Sequence, residues 1–191
     1  MNYRVNEIFE SIQGEGTFSG TWVTFVRFAG CNMRCSFCDT EFDSYTEMTA
    51  EEINAKIKTE IVVFTGGEPF LQLNQEFVSY IRLSHSVHVE TNGSIDNFIT
   101  GINHLVVSPK DPFRWNIKNG DDLKILIGKD DSDMPLIDIL QDTYFDNYLL
   151  QPIMGEDYPL ALDNCLLLIK KHPRWRLSLQ IHKYRPGSFE S

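Results

Sequence analysis

Short runs of β-branched and aromatic residues recur at Val23–Phe28, Ile61–Phe64, Val87–Glu90, Leu105–Ser108, Leu123–Ile127, Asn147–Gln151 and Arg176–Ile181, and each reads as a strand. Between several of them the apolar spacing changes to that of a helix. Thr49 and Glu52 make a capping box ahead of Ile53 and Ile57, and Phe77 with Ile81 marks a second helix. Leu162, Cys165, Leu166 and Ile169 fall at i, i+3, i+4 and i+7 in a third. Strands alternating with helices predict an α/β chain with parallel strands. About six or seven strands are too few to close an eight-stranded barrel, so a partial, open parallel β/α barrel is expected. No repeat, low-complexity stretch or linker divides residues 1–191, which predicts a single domain.

Chemically loaded residues sit at the ends of these strands. Cys31 follows the first, Thr65-Gly66-Gly67-Glu68 the second, and Glu90-Thr91-Asn92 the third. Ser108-Pro109-Lys110, Gln151, and Gln180 with His182 continue the series. Parallel α/β folds gather ligands at the carboxyl ends of their strands, because loops and helix N-termini converge there.

Composition narrows the partners. The 42% apolar fraction is that of a folded protein. A net charge of −10 opposes the phosphate backbone and argues against nucleic acid, while a small anion could still bind where a few Arg and Lys converge. No run of eighteen apolar residues exists to span a membrane, and MNYRVNEIFE lacks the apolar core of a signal peptide. A cytoplasmic location is therefore expected, where clustered cysteines point to metal rather than disulfide.

Of four cysteines, three fall within eight residues as Cys31-Asn-Met-Arg-Cys35-Ser-Phe-Cys38. Three thiolates can hold three irons of a cubane cluster and leave the fourth iron free for another ligand, unlike the four-cysteine ligation of electron carriers. The same thiols could instead hold zinc with a distant fourth ligand. Cys165 lies on the apolar helical stripe and reads as core.

The C-x3-C-x2-C loop, with Phe37 before its last cysteine, resembles the radical S-adenosylmethionine (SAM) signature, and Thr65-Gly66-Gly67-Glu68-Pro69 resembles the second motif of that superfamily. The bland alternative for the glycine pair is a strand-to-helix turn. A finer resemblance is to the 7-carboxy-7-deazaguanine synthases of deazapurine and queuosine biosynthesis. It is carried by Phe9-Glu10-Ser11-Ile12-Gln13-Gly14-Glu15-Gly16, Phe25-Val26-Arg27-Phe28-Ala29-Gly30-Cys31 and Cys38-Asp39-Thr40. Glu90-Thr91-Asn92-Gly93, Ser108-Pro109-Lys110 and Gln180-Ile181-His182-Lys183 extend it, so that matches run in order from residue 9 to residue 183.

The resemblance implies a barrel of the radical SAM type and a lyase that converts 6-carboxy-5,6,7,8-tetrahydropterin to 7-carboxy-7-deazaguanine with release of ammonia. It implies a [4Fe–4S] cluster on Cys31, Cys35 and Cys38, whose electron splits SAM to methionine and a 5′-deoxyadenosyl radical. That radical takes hydrogen from the pterin C6, and SAM is regenerated when the hydrogen returns. SAM is expected to border Phe37, Cys38, Asp39, Gly67, Glu90, Ser108, Pro109 and Lys110. The substrate is expected against Ile12, Gln13, Gly14, Arg27, Thr65 and His182. Mg²⁺ is expected at the Thr40 hydroxyl rather than at Asp39.

Each assignment has a plainer counterpart. Thr40 could be a helix cap, Glu90 a structural carboxylate, and Ile12–Gly14 a polar turn. Arg27 shares a strand face with Val23 and Phe25, where it needs an anionic partner, either a substrate carboxylate or a protein one. Lys110 and Lys124 could meet anionic ligand groups or lie solvated. Gln180 and His182 would share one face of the last strand, opposite Leu177, Leu179 and Ile181, while His85, His88, His104 and His172 carry no motif. The resemblance also implies a homodimer and a flavodoxin or ferredoxin as reductant. For this family the chain is short between the Ser108-Pro109-Lys110 turn and its last strand. Two rival functions are a radical SAM activase of glycyl-radical enzymes and a non-catalytic zinc or iron–sulfur module.

Overall fold

A computed structural model describes residues 1–38, 40–111 and 115–184. Among them, nine strands form one sheet: β1 (Asn2–Ile12), β2 (Trp22–Phe28), β3 (Thr46–Thr49), β4 (Ile61–Gly66), β5 (Ser86–Thr91), β6 (His104–Val107), β7 (Asn119–Ile127), β8 (Tyr144–Pro152) and β9 (Trp175–Leu177). The order is β3-β1-β2-β4-β5-β6-β7-β8-β9. From β2 to β9 all neighbours are parallel, and β1 runs antiparallel to both β2 and β3. The terminal strands β3 and β9 do not pair, so the barrel is open, as expected.

The two-residue period of the strands sorts their side chains. Val26 and Phe28, Val62 and Phe64, Val87 and Val89, and Leu123, Ile125 and Ile127 join one apolar core beneath the helices. The intervening residues Arg27, Thr65, Glu90 and Lys124 face a cavity on the other side of the sheet, with His88, His104 and Asp122 below them. One face thus builds the fold and the other the site.

Helix α1 (Ala50–Lys56) begins at the expected capping box, with Glu52 N–H donating to Thr49 Oγ1 at 3.2 Å and Thr49 N–H to Glu52 Oε2 at 2.7 Å. Asn74 caps α2 (Gln75–Ile81), which buries Phe77, Val78 and Ile81. Helix α3 (Leu136–Gln141) adds Leu136 and Ile139 to the core, and α4 (Tyr158–Lys171) packs on β7, β8 and β9. No helix among the described residues is long and apolar enough to cross a membrane.

Several expectations need correction. β1 is a strand the pattern did not announce: its ladder with β2 slips between Val5 and Glu7, and this bulge breaks the alternation. β3 and α3 are too short to show a period. On α4 the buried positions are Ala161, Asn164, Cys165 and Leu168, whereas Leu166 is 49% exposed, so the apolar stripe is rotated from the one expected. Cys165 is fully buried core, and burial pushes its thiol up to about 12.

The last strand stops at Leu177. Pro152 ends the neighbouring β8 and offers no N–H to extend the ladder. The chain then turns inward, and Gln180 lies outside any strand while His182 falls in a 3₁₀ turn at Ile181–Tyr184. There Ile181 N–H donates to the Gly14 carbonyl at 3.0 Å. The segments following β1 and β9 therefore meet across the gap in the barrel.

Candidate active site

A cavity of about 340 Å³ opens at the carboxyl ends of the strands. Its outer wall is the loop after β2. Cys31, Cys35 and Cys38 are free thiols that line the cavity together with Phe37 and Thr40. Cys38 N–H closes a turn on the Cys35 carbonyl at 3.2 Å, and Met33 N–H donates to Cys31 Sγ at 3.4 Å. Among the described residues no three His, Cys, Asp or Glu side chains converge as a single metal ion requires. Three thiols on one loop facing one cavity supply the donor set for three irons of a cubane and leave the fourth iron open to another ligand. Burial raises the thiols of Cys31 and Cys35, so their ionisation is coupled to loading of the cluster.

The turn after β4 lies directly behind this loop. Gly67 N–H donates to the Phe28 carbonyl at 3.1 Å and Glu68 N–H to the Gly30 carbonyl at 2.9 Å. A Cβ at Gly66 (φ +130°) would overlap the Phe28 main chain, and one at Gly67 the Gly30 carbonyl. The glycine pair is thus demanded by the cluster loop as well as by any ligand. Glu68, fully buried, accepts from Phe70 N–H at 3.0 Å, Thr91 Oγ1 at 2.7 Å and Asn92 N–H at 2.8 Å. Burial raises this carboxyl, against the pull of those donors. Asn92 in turn donates to Asn32 Oδ1 at 3.0 Å, which ties the end of β5 to the cluster loop. Sequence reasoning gave Glu68 no role; its place inside the glycine motif was the available signal.

The opposite wall is polar and densely bonded. Glu90 accepts from Gln13 Nε2 at 2.8 Å and lies 3.5 Å from the Thr65 hydroxyl. It therefore already serves structurally while facing the cavity. Glu15, given no role from sequence, forms a buried ion pair with Lys124 and accepts from Gln180 Nε2 at 2.6 Å. Burial would raise the Glu15 carboxyl, but the Lys124 ammonium and its hydrogen bonds outweigh that and hold it at about 2. Lys124 is raised in return, against its own desolvation. Neither Lys124 nor Lys110 is solvated surface: Lys110 donates to Ser108 Oγ at 3.1 Å and lines the cavity, where burial and the nearby Lys124 lower it.

Of the two partners weighed for Arg27, the structure holds the protein carboxylate. The Arg27 Nε bonds Glu7 at 2.9 Å, and its Nη1 donates to Thr40 Oγ1 at 3.2 Å at the cavity wall. Ile12, Gln13 and Gly14 line the same space, and His182 packs so closely on Gly14 that a Cβ there would overlap the imidazole. Of the residues anticipated, Pro109 is buried behind the wall and Asp39 lies outside the described residues. The others share one cavity.

Comparison with known proteins follows the same lines. Residues 25–126 match the model of the radical SAM superfamily. A 7-carboxy-7-deazaguanine synthase from Bacteroides thetaiotaomicron is 36% identical over 187 residues, spanning 96% of this chain and 97% of that one. The chain belongs to the 7-carboxy-7-deazaguanine synthase family of radical SAM enzymes. A family member from Burkholderia multivorans is 35% identical over 217 aligned residues, covering 96% of this chain and 98% of its own. The crystal structure of QueE from Escherichia coli superposes with a TM-score of 0.76 at 25% identity, over 95% of each chain. The short C-terminal half is no anomaly, since the Bacteroides relative aligns nearly end to end at this length. SAM and a [4Fe–4S] cluster follow from membership in the superfamily, and the activase and zinc-module readings fall away.

Proposed function

We propose that this chain converts 6-carboxy-5,6,7,8-tetrahydropterin to 7-carboxy-7-deazaguanine with release of ammonia. One observation carries the proposal. In a chain that aligns throughout with named synthases, the three thiols, the glycine turn and the Ile12–Gly14 segment line a single cavity. Cys31, Cys35 and Cys38 would hold the cluster, and Gly67, Glu90, Ser108 and Lys110 would border SAM. Together these groups supply a hydrogen-abstracting 5′-deoxyadenosyl radical by one-electron cleavage of SAM.

The protein positions, neutralises charge and excludes water. Arg27 offers its Nη atoms to a substrate carboxylate, while Glu7 holds its Nε and fixes the guanidinium plane. Thr40, now bonded to Arg27, would turn its hydroxyl to Mg²⁺, a hard cation that takes few protein oxygens. Gln13 and the Gly14 main chain face the pterin from one side and Thr65 from another, and His182 closes the edge. Mg²⁺, a flavodoxin or ferredoxin reductant and a homodimer belong to the same proposal through the family resemblance.

Cys35→Ala tests the proposal at its root. The reconstituted variant should lack the visible iron–sulfur absorbance and form no 7-carboxy-7-deazaguanine. Turnover retained in the variant would end the reading.

A further inference from the structure

Below the cavity floor, between β5, β6, β7 and β8, lies a buried polar group that the proposed chemistry does not use. Asp122 on β7 has no exposed surface. Its carboxylate accepts from Thr17 N–H at 2.9 Å, from the Thr17 hydroxyl at 2.7 Å and from Asn147 Nδ2 at 2.9 Å. His104 Nε2 stands 3.3 Å away. The next residue, Phe18, sets its ring edge-on against His88 and His104, with centroids at 4.5 and 4.8 Å. Burial would raise the Asp122 carboxyl, but the adjacent His104 ring and the Thr17 bonds hold it at about 2. A buried carboxylate is tolerated only with donors converging on it, and here two of them come from a single loop residue.

That loop carries the substrate-facing residues. Two positions further along the same face of β7, Lys124 pairs with Glu15. Gly16 N–H donates to Ser178 Oγ at 3.0 Å, and Ser178 donates to Gln151 Oε1 at 3.0 Å. The chain from Gln13 to Phe18 is thereby anchored inside the open barrel. A barrel without closing strands has no ladder to fix it there.

We propose that Asp122 is a positioning residue: by clamping Thr17 it sets the height of the Gln13–Gly16 segment, and so the pose of the pterin above it. The role rests on the proposed reaction. Asp122 does not line the main cavity; it acts through Thr17.

Asp122→Asn keeps the shape but loses acceptor capacity, and Thr17→Val removes only the hydroxyl donor. Both are compared with wild type as reconstituted holoenzymes. Expected for Asp122→Asn is a KM for 6-carboxytetrahydropterin raised about tenfold or more, the scale of one charge-assisted hydrogen bond. More 5′-deoxyadenosine should escape per product, while iron content and SAM cleavage without substrate stay at wild-type levels. Hydrogen exchange at the Gly16 and Thr17 amides should lose protection, and Thr17→Val should move the same quantities less. Unchanged KM and coupling would overturn the proposal. So would a parallel fall of iron content, SAM cleavage and melting temperature, which marks mere support of the fold. If Asp122→Asn fails to fold, Thr17→Val decides by the same criteria. Should wild type not turn over this pterin, the reaction itself is wrong. Amide exchange then judges the clamp alone, and protection unchanged in the variants removes it.

Discussion

At Gly67 the turn after β4 runs against the carbonyl of Gly30, one residue before the first cluster thiol, and a methyl there would overlap that oxygen. Backbone has nowhere to yield without carrying Cys31 with it. Gly67→Ala should destabilise the protein by about 1–3 kcal/mol in urea unfolding and lower iron incorporation on reconstitution. Full iron loading at wild-type stability would show that the turn and the loop move independently. Thr40 makes a sharper separation, because Arg27 holds its hydroxyl while its own main-chain carbonyl accepts from Cys38 Sγ at 3.6 Å. Thr40→Val should weaken the response of turnover to Mg²⁺ and leave SAM cleavage intact; an undiminished Mg²⁺ response would move the metal elsewhere. The motif residues were legible in sequence because thiols and glycines at fixed spacing have few other uses. The roles of Glu15 and Asp122 were not, because a buried carboxylate shows its partners only once residues far apart in sequence are brought together.

Among the elements, those with a full apolar run were legible: β2, β4, β5 and β7 each present alternate residues to the helix-covered core. β1 escaped because its bulge shifts the period after Val5, and β9 was overextended because Leu179 and Ile181 imitate a strand that Pro152 will not pair. Helix α4 gives a measurable case. Its periodicity points to Leu166, yet Leu168 is 1% exposed and Leu166 is 49% exposed. Leu168→Ala should therefore cost about 2–5 kcal/mol and Leu166→Ala about 0.5 kcal/mol or less, read by denaturant unfolding. A larger loss for Leu166→Ala than for Leu168→Ala would mean the helix faces the core in the rotation its periodicity first indicated.

Across the whole molecule, a chain of net charge −10 gathers Arg27, Lys110, Lys124 and Lys183 at one cavity. That local reversal suits a carboxylated substrate and the carboxylate of SAM, while the rest of the surface stays acidic. The open barrel supplies the cavity, and the segments after β1 and β9 meet across its gap through the Gly14–Ile181 hydrogen bond. Openness could be foreseen from the parallel strands alone, β2 and β4 to β9; this closure could not, since it depends on loop contacts between residues far apart in sequence. The most direct measurement is an anaerobic assay of the reconstituted, dithionite-reduced protein with SAM, Mg²⁺ and 6-carboxytetrahydropterin, with products read by mass. The expected result is 7-carboxy-7-deazaguanine without matching build-up of 5′-deoxyadenosine, as the proposed catalytic use of SAM requires. Formation of 5′-deoxyadenosine and methionine alone would contradict it, leaving the radical SAM core in place and the substrate wrong.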